Sequence, residues 1–154
     1  MVGDFNERIS VLAILPDPGD RDSLSRIISH SNWMLHLAKT YEEARLGLEE
    51  EVPAAIVSDC HLPGGFGWKD VLYLAEAIDN APPVIVTDRL ADERLWAEVL
   101  NERGCDVLTK PFDRDEVFRI ISYAGRRDRG RACPKPTKSA KPSGGENFYA
   151  AAGA

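Results

Sequence analysis

Short apolar runs recur along the chain, separated by stretches whose apolar residues fall three and four apart. That alternation predicts a repeating β-α unit built around a mainly parallel sheet. Ile9-Ser10-Val11-Leu12-Ala13-Ile14-Leu15 is rich in β-branched residues and stops at Pro16-Asp17-Pro18-Gly19, the pattern of a strand covered on both faces. Leu24, Ile27 and Ile28 then supply the inward stripe of a first helix. Trp33 to Ala38 forms a second, more amphipathic strand, and Thr40 caps the next helix, which carries Ala44 and Leu48 and has Glu43 placed as in a capping box. The third strand, Ala54 to Ser58, ends at Asp59. After the loop Pro63-Gly64-Gly65-Phe66-Gly67, a third helix presents Val71, Leu72, Leu74, Ala75 and Ile78. Val84-Ile85-Val86 is the fourth strand, and Leu95, Val99 and Leu100 mark the fourth helix. Cys105 to Leu108 is the fifth strand, and Val117, Phe118, Ile120 and Ile121 fix the last helix. The predicted class is α/β, with five strands and five helices in one domain spanning residues 1–124.

Composition adds a boundary and several exclusions. Residues 1–124 hold 12 basic and 23 acidic side chains, net −11, whereas residues 125–154 hold 7 and 2, net +5. An acidic body argues against a nucleic-acid surface on the folded part, because affinity for phosphate backbones comes from clustered Lys and Arg. The tail, 125–154, is rich in Pro, Lys, Ser and Gly and too poor in apolar residues to offset its ordering entropy, so it is expected to be a disordered linker or solubilising segment. No apolar run approaches the roughly 18 residues of a membrane span. The N-terminal residues carry acidic side chains where a secretory signal would be basic and then apolar. Cys60, Cys105 and Cys133 are odd in number and contain no C-x-x-C pair, which argues against a disulfide framework or a zinc knuckle and for a reducing, cytoplasmic setting.

In an open parallel sheet, ligands bind beyond the carboxyl ends of the strands. The residues at those ends are Leu15, Pro16 and Asp17, then Asp59, then Thr87 and Asp88, and finally Lys110. A carboxylate can attack a phosphoryl group and hold it as an acyl phosphate. An ammonium neutralises phosphate oxygens, and a hydroxyl donates to one of them. Each residue also has an ordinary reading, as turn former, helix cap or solvated lysine. His30, His36 and His61 have no second ligand at fixed spacing, so they are expected to be surface histidines. Trp33, Trp68 and Trp96 are expected to seat strand two and helices three and four.

The run Ile56-Val57-Ser58-Asp59-Cys60-His61-Leu62-Pro63-Gly64, the segment Pro82 to Thr87, and Leu108-Thr109-Lys110-Pro111-Phe112 together resemble the three site motifs of response regulator receiver domains over about residues 8–124. The resemblance implies a flavodoxin-like, CheY-like (βα)5 open sandwich with strand order 2-1-3-4-5. It implies a bacterial phosphorelay protein of two-component signal transduction in which Asp59 is the phosphoacceptor, Thr87 the switch hydroxyl and Lys110 the phosphoryl contact. The implied partners are a histidine kinase or phosphotransfer protein, with a homodimer possible through the face of helix four, strand five and helix five. The Lys110-Pro111 bond is implied to be cis. No enzymatic activity is expected beyond self-catalysed phosphoryl transfer and autodephosphorylation at Asp59.

The chain departs from the pattern where the family holds Mg²⁺. Two acidic residues usually follow strand one, and here Leu15 and Pro16 stand in their place. An apolar side chain and a proline cannot supply the near-octahedral oxygen ligation that Mg²⁺ demands. That leaves Asp17, Asp59 and the carbonyl of His61 as a reduced ligand set, with Asp88 as a further carboxylate, while Asp17 or Asp20 is the expected cap of helix one. Val107 also stands where an aromatic residue is common. The leading expectation is a stand-alone receiver working by protein contact, with weak or absent Mg²⁺-dependent phosphorylation. A pseudo-receiver interaction module is the first alternative. A small flavodoxin-like cofactor binder is the second, disfavoured because no Gly-rich phosphate loop follows strand one.

Overall fold

The computed structural model describes residues 9–90, 92–102 and 106–126. Five parallel strands run in the order β2-β1-β3-β4-β5: β1 Ser10–Ile14, β2 Met34–Ala38, β3 Ala55–Asp59, β4 Val84–Asp88 and β5 Asp106–Thr109. The connecting helices are α1 Pro18–Ile28, α2 Tyr41–Glu50, α3 Trp68–Glu76, α4 Glu93–Asn101 and α5 Arg114–Arg126, with a 3₁₀ turn at Pro63–Gly65. The predicted class and strand order hold, and most strand ends move by only a residue or two. Cys105 and the basic tail beyond Arg126 lie outside the described residues.

The apolar runs sit centrally because each is covered on both sides. Leu12, Ile14, Ile56, Val84, Val86 and Val107 face α2, α3 and α4, where they meet Ala44, Leu48, Val71, Leu72, Trp96 and Val99. Val11, Ala13, Leu15, Val57, Ile85 and Leu108 face α1 and α5, where they meet Leu24, Ile28, Val117, Ile120 and Ile121. This two-sided burial explains why the central strands read as continuous apolar runs. Strand β2, at the sheet edge, keeps only Ala38 buried, in line with its amphipathic sequence.

The tryptophans act as expected. Trp33 meets Phe118 of α5 edge to face at 5.0 Å, while Trp68 and Trp96 are buried against the α3 and α4 side. The α2 cap differs slightly from a capping box. Thr40 accepts from the Glu43 amide at 3.1 Å, but Glu43 reaches back to the amide of Lys39, at 2.7 Å, one residue earlier than the box requires. Helix α3 ends at Glu76, so Ile78 lies beyond it, its amide closing a turn onto the Ala75 carbonyl at 3.1 Å.

Candidate functional site

Alternation along the strands decides which face of the sheet carries the site. Val57 and Ile85 face α1 and α5, so Asp59 and Thr87, each two residues further on, come to the carboxyl edge on that same side. They are paired in register across β3 and β4. Leu108 lies on that face too, and two residues past it Lys110 turns its side chain into the same corner. The structure therefore brings the three predicted residues together. Lys110 Nζ donates to Asp59 Oδ1 at 3.1 Å, and its side chain is only 6% exposed. The Lys110-Pro111 peptide is cis.

Asp59 uses its two oxygens unequally. Oδ1 accepts from Lys110 and from the Cys60 amide at 2.9 Å, whereas Oδ2 has no hydrogen-bond partner among the described residues. One carboxylate oxygen is thus anchored and the other is open for chemistry. Thr87 is fully buried, and its Oγ1 also lacks a partner. A buried hydroxyl without a protein partner is unusual in a native fold. The loop after Asp59 bends away through Gly64 and Gly65, at φ of 82° and 84°, a conformation side chains other than glycine rarely adopt.

Of the two readings of Asp17, helix cap and metal ligand, the region after β1 is built for the cap. Leu15 is fully buried in the core beside α1 and α5. Arg21 Nη1 donates to the carbonyls of both Leu15 and Pro16, each at 2.8 Å. Asp17 is exposed and serves as the α1 cap, accepting from the Asp20 amide at 3.0 Å. Its carboxylate is engaged at the cap, whereas Asp20 and Asp59 are the carboxylates that meet Lys110. The carboxylate that joins Asp59 in the pocket is that of Asp20, 7% exposed, which accepts from Lys110 Nζ at 2.8 Å and pairs with Arg89 at 3.5 Å. Asp88 falls on the opposite side of the sheet by alternation, where its charge acts on Cys60.

Charge in this corner is tightly coupled. Burial disfavours the Lys110 ammonium, but the hydrogen bonds and charges of Asp20 and Asp59 outweigh it and hold its pKa above the ordinary lysine value. Burial, reinforced by Asp88, Asp59 and Glu98, pushes the Cys60 thiol up to about 11, so it is a neutral thiol at physiological pH. His30, His36 and His61 are all exposed, and His36 lies 3.8 Å from Glu51.

With Lys110 in place, the pocket does not fit a divalent cation. Leu15 belongs to the core, the carbonyls after β1 are taken by Arg21, and the ammonium of Lys110 lies between the two pocket carboxylates. Among the described residues, no group of three or more His, Cys, Asp or Glu side chains assembles a metal site.

Comparison with known proteins decides the family. The family model of the response regulator receiver domain matches residues 11–122. The chain belongs to the receiver domain family. This receiver is 32% identical over 120 residues to the response regulator Rre1 of Synechocystis, an alignment covering 75% of this chain and 51% of Rre1. The chain thus spans about half the length of that relative. Among solved structures, the receiver domain of the sensor histidine kinase PA1611 from Pseudomonas aeruginosa, described with a magnesium ion coordinated in its active site cleft, matches with a TM-score of 0.67 at 22% identity. That match covers 79% of this chain and all of the other. The Francisella response regulator 1452 receiver domain matches with a TM-score of 0.69 at 24% identity, covering 77% of this chain and 98% of that one. These structures establish the shared receiver fold. Receivers are signalling modules of two-component systems. No helix among the described residues is long and apolar enough to cross a membrane.

Sequence reasoning named Asp20 only as a cap and left Arg89 out of the site. The signal for Asp20 was present: it precedes Leu24 by four residues and Ile28 by eight, which sets it on the inward stripe of α1.

Proposed function

We propose that this receiver accepts a phosphoryl group on Asp59 from a histidine kinase or phosphotransfer protein and signals through regulated contact with another protein. The observation that carries the reading is the ammonium of Lys110 at 3.1 Å from Asp59 Oδ1 while Oδ2 remains open. In this chemistry Oδ2 of Asp59 attacks phosphorus. The phosphorus–nitrogen bond of the donor phosphohistidine breaks, and the departing imidazole takes its proton from solvent. Lys110 neutralises charge on the new acyl phosphate. Thr87 supplies a hydroxyl that no protein group engages, ready to donate to a phosphoryl oxygen.

Signalling then follows from a change of partners. Once Thr87 and Lys110 turn to the phosphoryl group, the segments that carry them, the ends of β4 and β5, settle into a second arrangement that a partner protein can distinguish. A second reading, a constitutive interaction module of the same fold, is favoured by Leu15, which serves as a core residue at the end of β1.

Incubation with acetyl phosphate, and separately with a histidine-phosphorylated phosphotransfer protein, followed by intact mass measurement, distinguishes the two. The phosphoacceptor reading expects one added phosphoryl group in the natural chain and none in Asp59→Asn. Failure to acquire a phosphoryl group from either donor would overturn it in favour of the constitutive module.

A further inference from the structure

We propose that Lys110 is itself the resident cation of this pocket: its ammonium fills the space between Asp20 and Asp59 that a divalent ion would need, and Asp20 holds it there. The two carboxylates come from different parts of the fold, Asp59 from the end of β3 and Asp20 from the first turn of α1. They converge on one Nζ atom at 3.1 and 2.8 Å. Two carboxylates converging on one site repel, and one must be neutralised by a proton, a metal or a fixed cation. Here the cation is covalently part of the chain, so its local concentration does not depend on solution conditions.

Three further features point the same way. The Arg21 guanidinium occupies the two carbonyls after β1, removing the backbone oxygens a metal could otherwise recruit. Leu15 contributes packing at the end of β1 and no oxygen ligand. Arg89, from the segment after β4, takes Asp20 Oδ1 at 3.5 Å while Lys110 takes Oδ2 at 2.8 Å, so both oxygens of the extra carboxylate are already committed to protein cations. Asp20 is therefore a positioning residue. It acts on Asp59 through Lys110, and it links α1, the segment after β4 and the end of β5 in one charge network.

Charge balance without metal has a direct test that does not depend on Asp59 being phosphorylated. Thermal unfolding of the full chain, with and without about 10 mM MgCl₂, reads preferential binding to the folded state. The natural chain is expected to shift by less than about 1 °C. Lys110→Met leaves Asp20 and Asp59 facing each other without their cation. It should gain an Mg²⁺-dependent rise of several degrees, or fold only when Mg²⁺ is present. The double variant Lys110→Met with Asp20→Asn should lose that gain. A folded Lys110→Met variant indifferent to Mg²⁺ would overturn the proposal. Should that variant fail to fold in either condition, the side-chain carboxyl ¹³C signals of Asp20 and Asp59 in the natural chain decide. They stay fixed during MgCl₂ titration if Lys110 holds the site, and a saturable movement at millimolar Mg²⁺ refutes it.

Discussion

Lys110 donates to Asp20 at 2.8 Å, a shorter contact than the 3.1 Å it makes with Asp59, and Lys110 and Asp20 lie 90 residues apart in sequence. The contact ties the first turn of α1 to the end of β5. Both side chains are under one-tenth exposed, so little water replaces the bond if one partner is removed. Asp20→Ala is expected to cost about 1–3 kcal/mol, because Lys110 then keeps a single carboxylate and a buried ammonium is left underpaired. Arg89→Ala removes the longer contact to the same carboxylate, from a side chain 61% exposed, and should cost under about 1 kcal/mol. Urea unfolding of the two variants checks the ordering. Equal costs would mean that burial of the pair contributes little.

Thr87 presents the opposite case, a buried hydroxyl with no partner to lose. Thr87→Val keeps the branched shape and removes the polar atom, so the resting protein should be unchanged or stabilised by up to about 1–2 kcal/mol. The same change should abolish the phosphorylation-dependent response, read as the difference between the amide NMR spectra before and after phosphorylation. A loss of resting stability would show that Oγ1 has a partner, such as ordered water, in solution.

A pH effect is expected far from the pocket. Burial raises the Asp106 carboxyl to about 6, against the Val107 amide and the charge of Arg119, which pull it down. The folded-state value lies above the unfolded one, so the folded form binds more protons between them. Stability from this group is full below about pH 4 and is lost as pH rises through about 6. Asp106→Asn removes the titration. Its stability relative to the natural chain should rise by about 1–3 kcal/mol from pH 4 to pH 7, measured by urea unfolding. A difference that stays constant with pH would contradict the shift.

The fold was legible because each element announces itself by period and stop signal. Ile9 to Leu15 is continuous because β1 is covered from both sides, and Pro16-Asp17-Pro18 ends it with a cap and a first-turn proline that starts α1. Asp59, Thr87 and Lys110 were legible by their positions at strand ends. What the local pattern hid was the destination of Asp20. Its place on the inward stripe says that it is buried, but its partner is fixed only when β5 closes the sheet and brings Lys110 alongside. Arg89 was hidden for the same reason, since its partner belongs to α1. Asp17 shows the converse: its two possible roles were open in sequence, and the geometry of Pro18 and the Asp20 amide commits it to the cap.

In the proposed chemistry the phosphoryl group is carried on Asp59. Borohydride reduction of the phosphorylated chain converts an aspartyl phosphate to homoserine, and peptide mass spectrometry then locates it. The expected result is homoserine at position 59 in the natural chain, with none in a sample never exposed to a phosphodonor. Modification at Asp20 or Asp88 with Asp59 untouched, or no reducible acyl phosphate at all, would contradict the account.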